Sequence, residues 1–224
     1  MTRLRAFGSD TFRSLRIRNF RLFFVGQIIS QTGTWMQMIA IGLLVLAITD
    51  SGVAVGLVTA AQFLPILVLG AWGGVLADRR DRHHLLIVMN VAGAVVAAAF
   101  AALVLSGHEA LWSVYALTFA AGTVTALENP ARRSLVTDLV GEKDVPNAVG
   151  LNSTLMTTSR VFGPAPGGLL IAGPGIGWCF AVNAISYVPQ LALFLRMDRS
   201  KFRPTVQVAK AKGQLREGLR YVWG

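Results

Sequence analysis

Residues 22–49 read LFFVGQIISQTGTWMQMIAIGLLVLAIT, 28 consecutive positions without Asp, Glu, Lys or Arg. A helix needs about 20 predominantly apolar residues to cross the hydrocarbon core of a bilayer. This stretch is long enough, and Arg21 and Asp50 bracket it. Four more charge-free stretches follow, at 51–77, 83–108, 110–127 and 161–195. Of the 224 residues, 54% are apolar and only 14% are Asp, Glu, Lys or Arg. A soluble domain carries roughly 25% charge. This composition excludes a soluble enzyme and a nucleic-acid partner. It predicts an all-α integral membrane protein in contact with the lipid bilayer.

The pattern predicts six transmembrane helices, over about 20–48, 53–77, 84–106, 111–136, 147–171 and 176–196. They form a six-transmembrane-helix bundle spanning 20–196. A basic segment, 1–19, precedes it, and a basic amphipathic segment, 197–224, follows it (Leu215, Leu219, Tyr221, Val222, Trp223). The links Thr49–Gly52, Ser106–Glu109 and Gly173–Gly175 are short, which predicts antiparallel neighbours. Asp144 before Pro146 predicts a helix N-cap. The net charge of +10 is asymmetric. Of the 21 Lys and Arg, all but Arg160 precede the first apolar run, follow the last, or fall in the links near 79–82 and 132–143. Positive charge in short loops stays cytoplasmic. Both termini are therefore expected to be cytoplasmic, with the basic residues also close to anionic headgroups. The first apolar run is too long for a signal peptide and lacks a cleavage site opening onto a polar region. Cys179 is the only cysteine, so no intrachain disulfide forms; it reads as a small packing residue.

Polarity separates the helices. The third is almost entirely Ala, Val, Leu and Gly, with Asn90 its only amide, and is expected to face lipid. The first places Gln27, Gln31 and Thr34 on one face. The fifth carries Asn152, Ser153, Thr154, Thr157, Thr158, Ser159 and Arg160. Such groups in hydrocarbon must face protein or water. They are either interhelical glue or the lining of a transport cavity. Gln62 and Glu128 join the cavity candidates. At ~1.5 Å per residue, Arg160 lies near mid-membrane, and a charge there marks either a pathway or a structural pair. Glu128 is either a proton-coupling acid or the partner of Arg132, four residues on. The adjacent His83 and His84 lack a nearby ligand cluster, so no metal site is expected.

Two segments resemble known signatures. Gly74-Val75-Leu76-Ala77-Asp78-Arg79-Arg80-Asp81-Arg82-His83 resembles motif A of the major facilitator superfamily, with Asp81 in place of a glycine and His83 in place of a basic residue. Gly150, Ser159 and Gly163-Pro164-Ala165-Pro166-Gly167-Gly168 resemble motif C of its exporters, with Ser159 in place of a glycine. The stretches Ser30–Gln37, Gln62–Pro65 and Asn129–Arg132 are similar to the transmembrane-secretion-effector branch, which includes enterobactin-exporter-like and macrolide-efflux-like proteins. The resemblance covers about residues 14–224 but only the N-terminal half of a twelve-span transporter.

The resemblance implies export of small amphipathic molecules, drug-like or siderophore-like, by alternating access at the cell membrane. A proton gradient would drive it, with no cofactor. In motif A, Gly74 would permit close helix approach. Asp78 would meet the end of a helix in the opposite half, beside Arg79. Arg82 would pair with Asp78 and an acid on the fourth helix, Glu128 or Asp138. The plainer reading is a solvated basic turn. Motif C would form a tight seam through Gly150, Ser159, Gly163, Pro164, Gly167 and Gly168; the alternative is an ordinary kinked helix. The expected partners are the small-molecule substrate and either a missing C-terminal half or a second six-helix unit. A six-span unit that dimerises and a truncated chain without transport activity stay open. No HExxH, paired-Asp or nucleophile–His pattern points to an enzyme.

Overall fold

The computed structural model describes residues 11–203. The predicted amphipathic stretch around Leu215–Trp223 lies outside the described residues. The elements are α1 (Arg18–Thr49), α2 (Gly52–Arg79), α3 (Arg82–Leu105), α4 (Leu111–Leu139), α5 (Val145–Phe162), α6 (Pro164–Ala172) and α7 (Gly177–Leu195). Single 3-10 turns flank them, and no strand occurs among the described residues. By length and composition, α1, α2, α3 and α7 are each apolar enough to cross a membrane. At ~1.5 Å per residue, α4 with its 29 residues is also long enough. It is less apolar because it carries Thr118, Thr125, Glu128, Asn129 and Arg132.

The predicted fifth helix is two helices, α5 and α6, that meet at Gly163. Pro164 and Pro166 have no N–H to donate back to the carbonyls of Arg160 and Phe162. The ladder therefore stops, and Pro164 opens a new helix, where its missing donor costs nothing. The other ends are set locally. Asp50 closes α1 in the left-handed conformation at φ 48°. Asp81 caps α3, accepting from the amides of His83 at 3.0 Å and His84 at 3.1 Å. Its φ of −60° needs no glycine. Asp144 stands at the N-cap position of α5 but makes no capping bond. Its carboxylate pairs instead with Arg13.

Consecutive helices are not the main packing partners. The extensive contacts join α2 to α4, α3 to α7 and α1 to α7, while α2 barely touches α3. The short links make neighbours antiparallel without making them the main packing partners, although α3 and α4 do pack on each other. Helix α3 is not simply a lipid-facing rod. It exposes Val88, Val91 and Val95, but buries Asn90, Ala97 and Phe100 against its neighbours.

Two apolar cores result. One, at the basic end, contains Phe20, Phe23, Leu86, Leu135, Phe194 and Met197. The other, at the opposite end, contains Met36, Leu44, Val58, Phe100, Cys179 and Phe180. Each is tied to α7 by a stacked aromatic pair, Phe23–Phe194 at 6.2 Å and Phe100–Phe180 at 5.0 Å. Between them lies the polar middle. There the Asn90 amide donates to Gln190 at 2.6 Å and the Asn183 amide donates to Gln37 at 2.7 Å. Buried amides that find each other avoid the cost of unpaired groups in an apolar interior.

The basic end is stitched across sequence. Asn19 and the backbone of Asp198 exchange two hydrogen bonds, at 2.8 and 3.0 Å. The Arg203 amide donates to the Asp138 carbonyl at 2.9 Å. Ser200 donates to Asp198 through its hydroxyl and its amide, and these bonds, the hydroxyl foremost, hold that carboxyl below its ordinary range.

Candidate functional site

A cavity of about 240 Å³ opens in the polar middle, between the two cores. Helix α1 lines it with Gln31, Thr34 and Trp35, α2 with Gln62 and Phe63, and α4 with Glu128 and Arg132. Helices α3, α5 and α7 complete it with Gly93, Met156, Asn183 and Tyr187. Gly93 lets the Tyr187 ring reach this wall, because a Cβ there would stand 2.8 Å from the ring.

Glu128 and Arg132 pair at 2.6 Å, one helical turn apart on α4. The ion pair settles the partner of Glu128. Arg132 is also held from α1. With the Gln31 amide oxygen turned toward it, Gln31 accepts from Nη1 at 2.7 Å and from Nη2 at 3.2 Å. The Met156 sulfur lies 3.8 Å from Nη1. The guanidinium thus joins α1, α4 and α5 at one point.

Of the predicted cavity residues, Gln31, Thr34, Gln62 and Glu128 line the cavity. Gln27 is wholly buried behind that wall, its amide nitrogen without a partner. Asn152 is half-buried, its Oδ1 without a partner, and does not reach the cavity. Arg160 is exposed at the end of α5 and lies 5.4 Å over the Trp35 ring, a cation–π contact. It touches the site only through Trp35. Arg132, Asn183 and Tyr187 were missed as site residues. A signal for the last two exists, since Asn183, Tyr187 and Gln190 recur at four and three residues, on one helical face.

In the motif A turn, Arg82 Nη1 bonds both carboxylate oxygens of Asp138, at 2.8 and 2.7 Å, and Arg82 Nη2 lies 3.7 Å from Asp78. Asp138, not Glu128, is therefore the acid on the fourth helix. The Asp78 side chain is 73% exposed, and Arg79 is exposed beside it. Asp81, the departure from the motif, pairs with Arg199. Gly74 has nothing within 4 Å of where a Cβ would be. The close approach belongs to Gly73, whose Cβ would stand 2.6 Å from the Ala126 carbonyl, and to Gly122, packed on the backbone of Gln62. Both glycines lie in the α2–α4 contact.

The motif C residues divide in the same way. A Cβ on Gly163 would meet Trp35 Cβ at 2.8 Å, and one on Gly167 would meet Met36 Cγ at 2.8 Å. Ser159 is buried beside them. Gly150 and Gly168 face open space. The contact is thus a seam between α1 and the Gly163–Gly167 corner, with Pro164 opening α6 inside it. Among the described residues, no cluster of His, Cys, Asp and Glu could hold a metal ion.

The model of the transmembrane secretion effector family matches residues 9–223. The chain is 27% identical to the uncharacterised MFS-type transporter YfiS of Bacillus subtilis, covering 88% of this chain and 47% of that one. It is 28% identical to the staphyloferrin A transporter of Staphylococcus aureus, covering 82% and 49%. It therefore spans about half the length of these relatives. The fold is similar to that of a bacterial homologue of the human lysosomal transporter Spinster, solved in an inward-facing, unoccupied conformation. That match has a TM-score of 0.66 at 18% identity and covers 89% of this chain and 47% of that one.

Proposed function

The chain belongs to the transmembrane secretion effector family, a family of multi-pass membrane transporters, and on that footing we propose that it forms a six-span half of a secondary active exporter. The cargo is a small amphipathic molecule, which fits the mixed lining of amides and aromatic rings in the cavity. The observation that carries this reading is the cavity at mid-bundle, polar on several helices and lying between the two apolar cores. Substrate sites of secondary transporters lie at this depth, near the midplane.

Alternating access needs a second six-span unit, either a C-terminal half or another copy. A polar stripe on α5 supports this. Ser153, Thr154, Thr157, Thr158 and Arg160 are exposed on that helix, and polar groups do not face lipid without cost. The stripe faces the second unit and the aqueous path between the two. The arginine-rich end is cytoplasmic. There the Arg82–Asp138 pair fixes the motif A turn, so that Asp78 and Arg79 can engage the second unit. The Gly163–Gly167 seam closes the bundle beside α1 and limits leakage.

Export is exchanged for protons, and Glu128 is the acid that carries them. It lies in the cavity wall, and its protonation would release Arg132, coupling proton uptake to the α1–α4 contact. The test is accumulation of a panel of amphipathic compounds in cells expressing this chain with and without a second six-span half. Accumulation should fall for at least one compound, only with both halves present, and recover when the proton gradient is dissipated. An assembled twelve-span protein that changes the accumulation of none of them would overturn the reading.

A further inference from the structure

Among the described residues that line the cavity, Glu128 and Arg132 are the only charged side chains, and they neutralise each other at 2.6 Å. Both are nearly sequestered, at 13% and 8% exposure. The remaining polar lining, including Gln31, Thr34, Gln62, Asn183 and Tyr187, offers hydrogen bonds without charge, and Trp35 and Phe63 offer apolar surface. We infer that this ion pair is a charge filter: it makes the cavity select uncharged amphipathic molecules and reject amphipathic cations and anions alike. The inference deepens, and rests on, the reading of the cavity as the cargo site.

The filter follows from the pair's geometry. A cation that approaches Glu128 meets Arg132 one turn away on the same helix, already bonded and braced from α1 by Gln31. To bind, it must displace the guanidinium and leave it without its carboxylate in a buried site, which is strongly unfavourable. An anion that approaches Arg132 meets the same obstacle with the signs reversed. An uncharged ligand uses the amides and the aromatic wall and leaves the pair intact. Arg160, whose guanidinium stacks on Trp35, adds positive potential near the wall, but it is exposed and screened. Removing one partner of the pair leaves the other as an uncompensated charge that a ligand can neutralise. The selectivity should therefore invert with single substitutions.

The test uses the full chain in phosphatidylcholine nanodiscs and three probes that share one fluorophore: dansylamide (uncharged), dansyl-ethylenediamine (cation) and dansylglycine (anion). Binding is read as energy transfer from Trp35, with the Trp35→Phe variant as background. The parent should bind dansylamide at least tenfold more tightly than either charged probe. Arg132→Gln should shift the preference at least tenfold toward the cation, and Glu128→Gln at least tenfold toward the anion. The double variant, which removes the filter, should narrow the gap between dansylamide and the charged probes that the parent shows, and circular dichroism of every variant guards against misfolding. A parent that prefers either charged probe, or single variants that move all three probes in parallel, would overturn the filter while leaving the cavity a binding site. If none of the three gives Trp35-dependent transfer in the parent, the cargo-site reading falls and the filter with it.

Discussion

Replacing Gly122 by alanine should destabilise the bundle, whereas the same change at Gly74, the motif glycine, should not. At Gly122 a new Cβ would overlap the Gln62 carbonyl oxygen and stand 3.0 Å from its carbon and 3.2 Å from its Cα. These are backbone atoms of α2 and cannot rotate away. Helix α2 would have to move as a rod, within one of the most extensive helix contacts of the bundle. Overpacking of this kind costs about 1–3 kcal/mol, which for a protein of this size lowers the melting temperature by roughly 2–4 °C per kcal/mol. Gly73→Ala meets the Ala126 carbonyl oxygen at 2.6 Å and should act in the same direction. Gly74 has open space around it, and alanine is favoured over glycine inside a helix by roughly 0.5–1 kcal/mol. Gly74→Ala should therefore leave the melting temperature unchanged or raise it slightly. Thermal unfolding of the three variants in nanodiscs, followed by tryptophan fluorescence, separates them. If Gly74→Ala loses as much stability as Gly122→Ala, or if Gly122→Ala melts like the parent, the assignment of the tight contact is wrong.

Three further outcomes are expected. Asp138→Asn takes from Arg82 the opposing charge and one of two carboxylate acceptors in a largely buried pair and should cost about 3 kcal/mol; Asp78→Asn, at an exposed side chain, should cost under ~1 kcal/mol, and a melting comparison checks the contrast. Arg160→Leu should abolish export in an assembled transporter yet shift stability by no more than about 1 kcal/mol, since only the exposed cation–π contact with Trp35 is lost; parallel efflux and melting measurements would show a purely structural role if both fell together. Because Ser200 holds the Asp198 carboxyl below its ordinary range, its bonds stabilise the segment after α7 at neutral pH, and that contribution is lost only as pH falls below the ordinary carboxyl range, through the depressed midpoint; a carboxyl NMR titration should place the midpoint below that of Ser200→Ala.

How much of this was legible beforehand differs from residue to residue. Gln31, Thr34, Gln62 and Glu128 could be picked out because polar groups inside charge-free runs must find water or protein. Gln27 and Asn152 carry the same signal and stand behind the wall, since spacing along one helix does not say which neighbour covers it. Of the glycines marked by resemblance, Gly163 and Gly167 make close contacts and Gly74, Gly150 and Gly168 do not, whereas the unmarked Gly73 and Gly122 do. The fourth-helix acid stayed open between Glu128 and Asp138 until the register of α4 against the motif A turn was known.

The amino-acid order alone determined where the helices run, because charge-free length and turn residues are properties of local chain, and it determined that the charged ends gather, because short links reverse direction. Only the tertiary structure decided that α2 packs on α4 and α1 on α7, that α5 breaks from α6 at Gly163 against Trp35, and that Arg132 stands between Glu128 and Gln31. Those outcomes depend on which side chains interdigitate across helices distant in sequence. A one-dimensional pattern of apolar and polar residues is compatible with many such pairings, and packing in three dimensions selects among them.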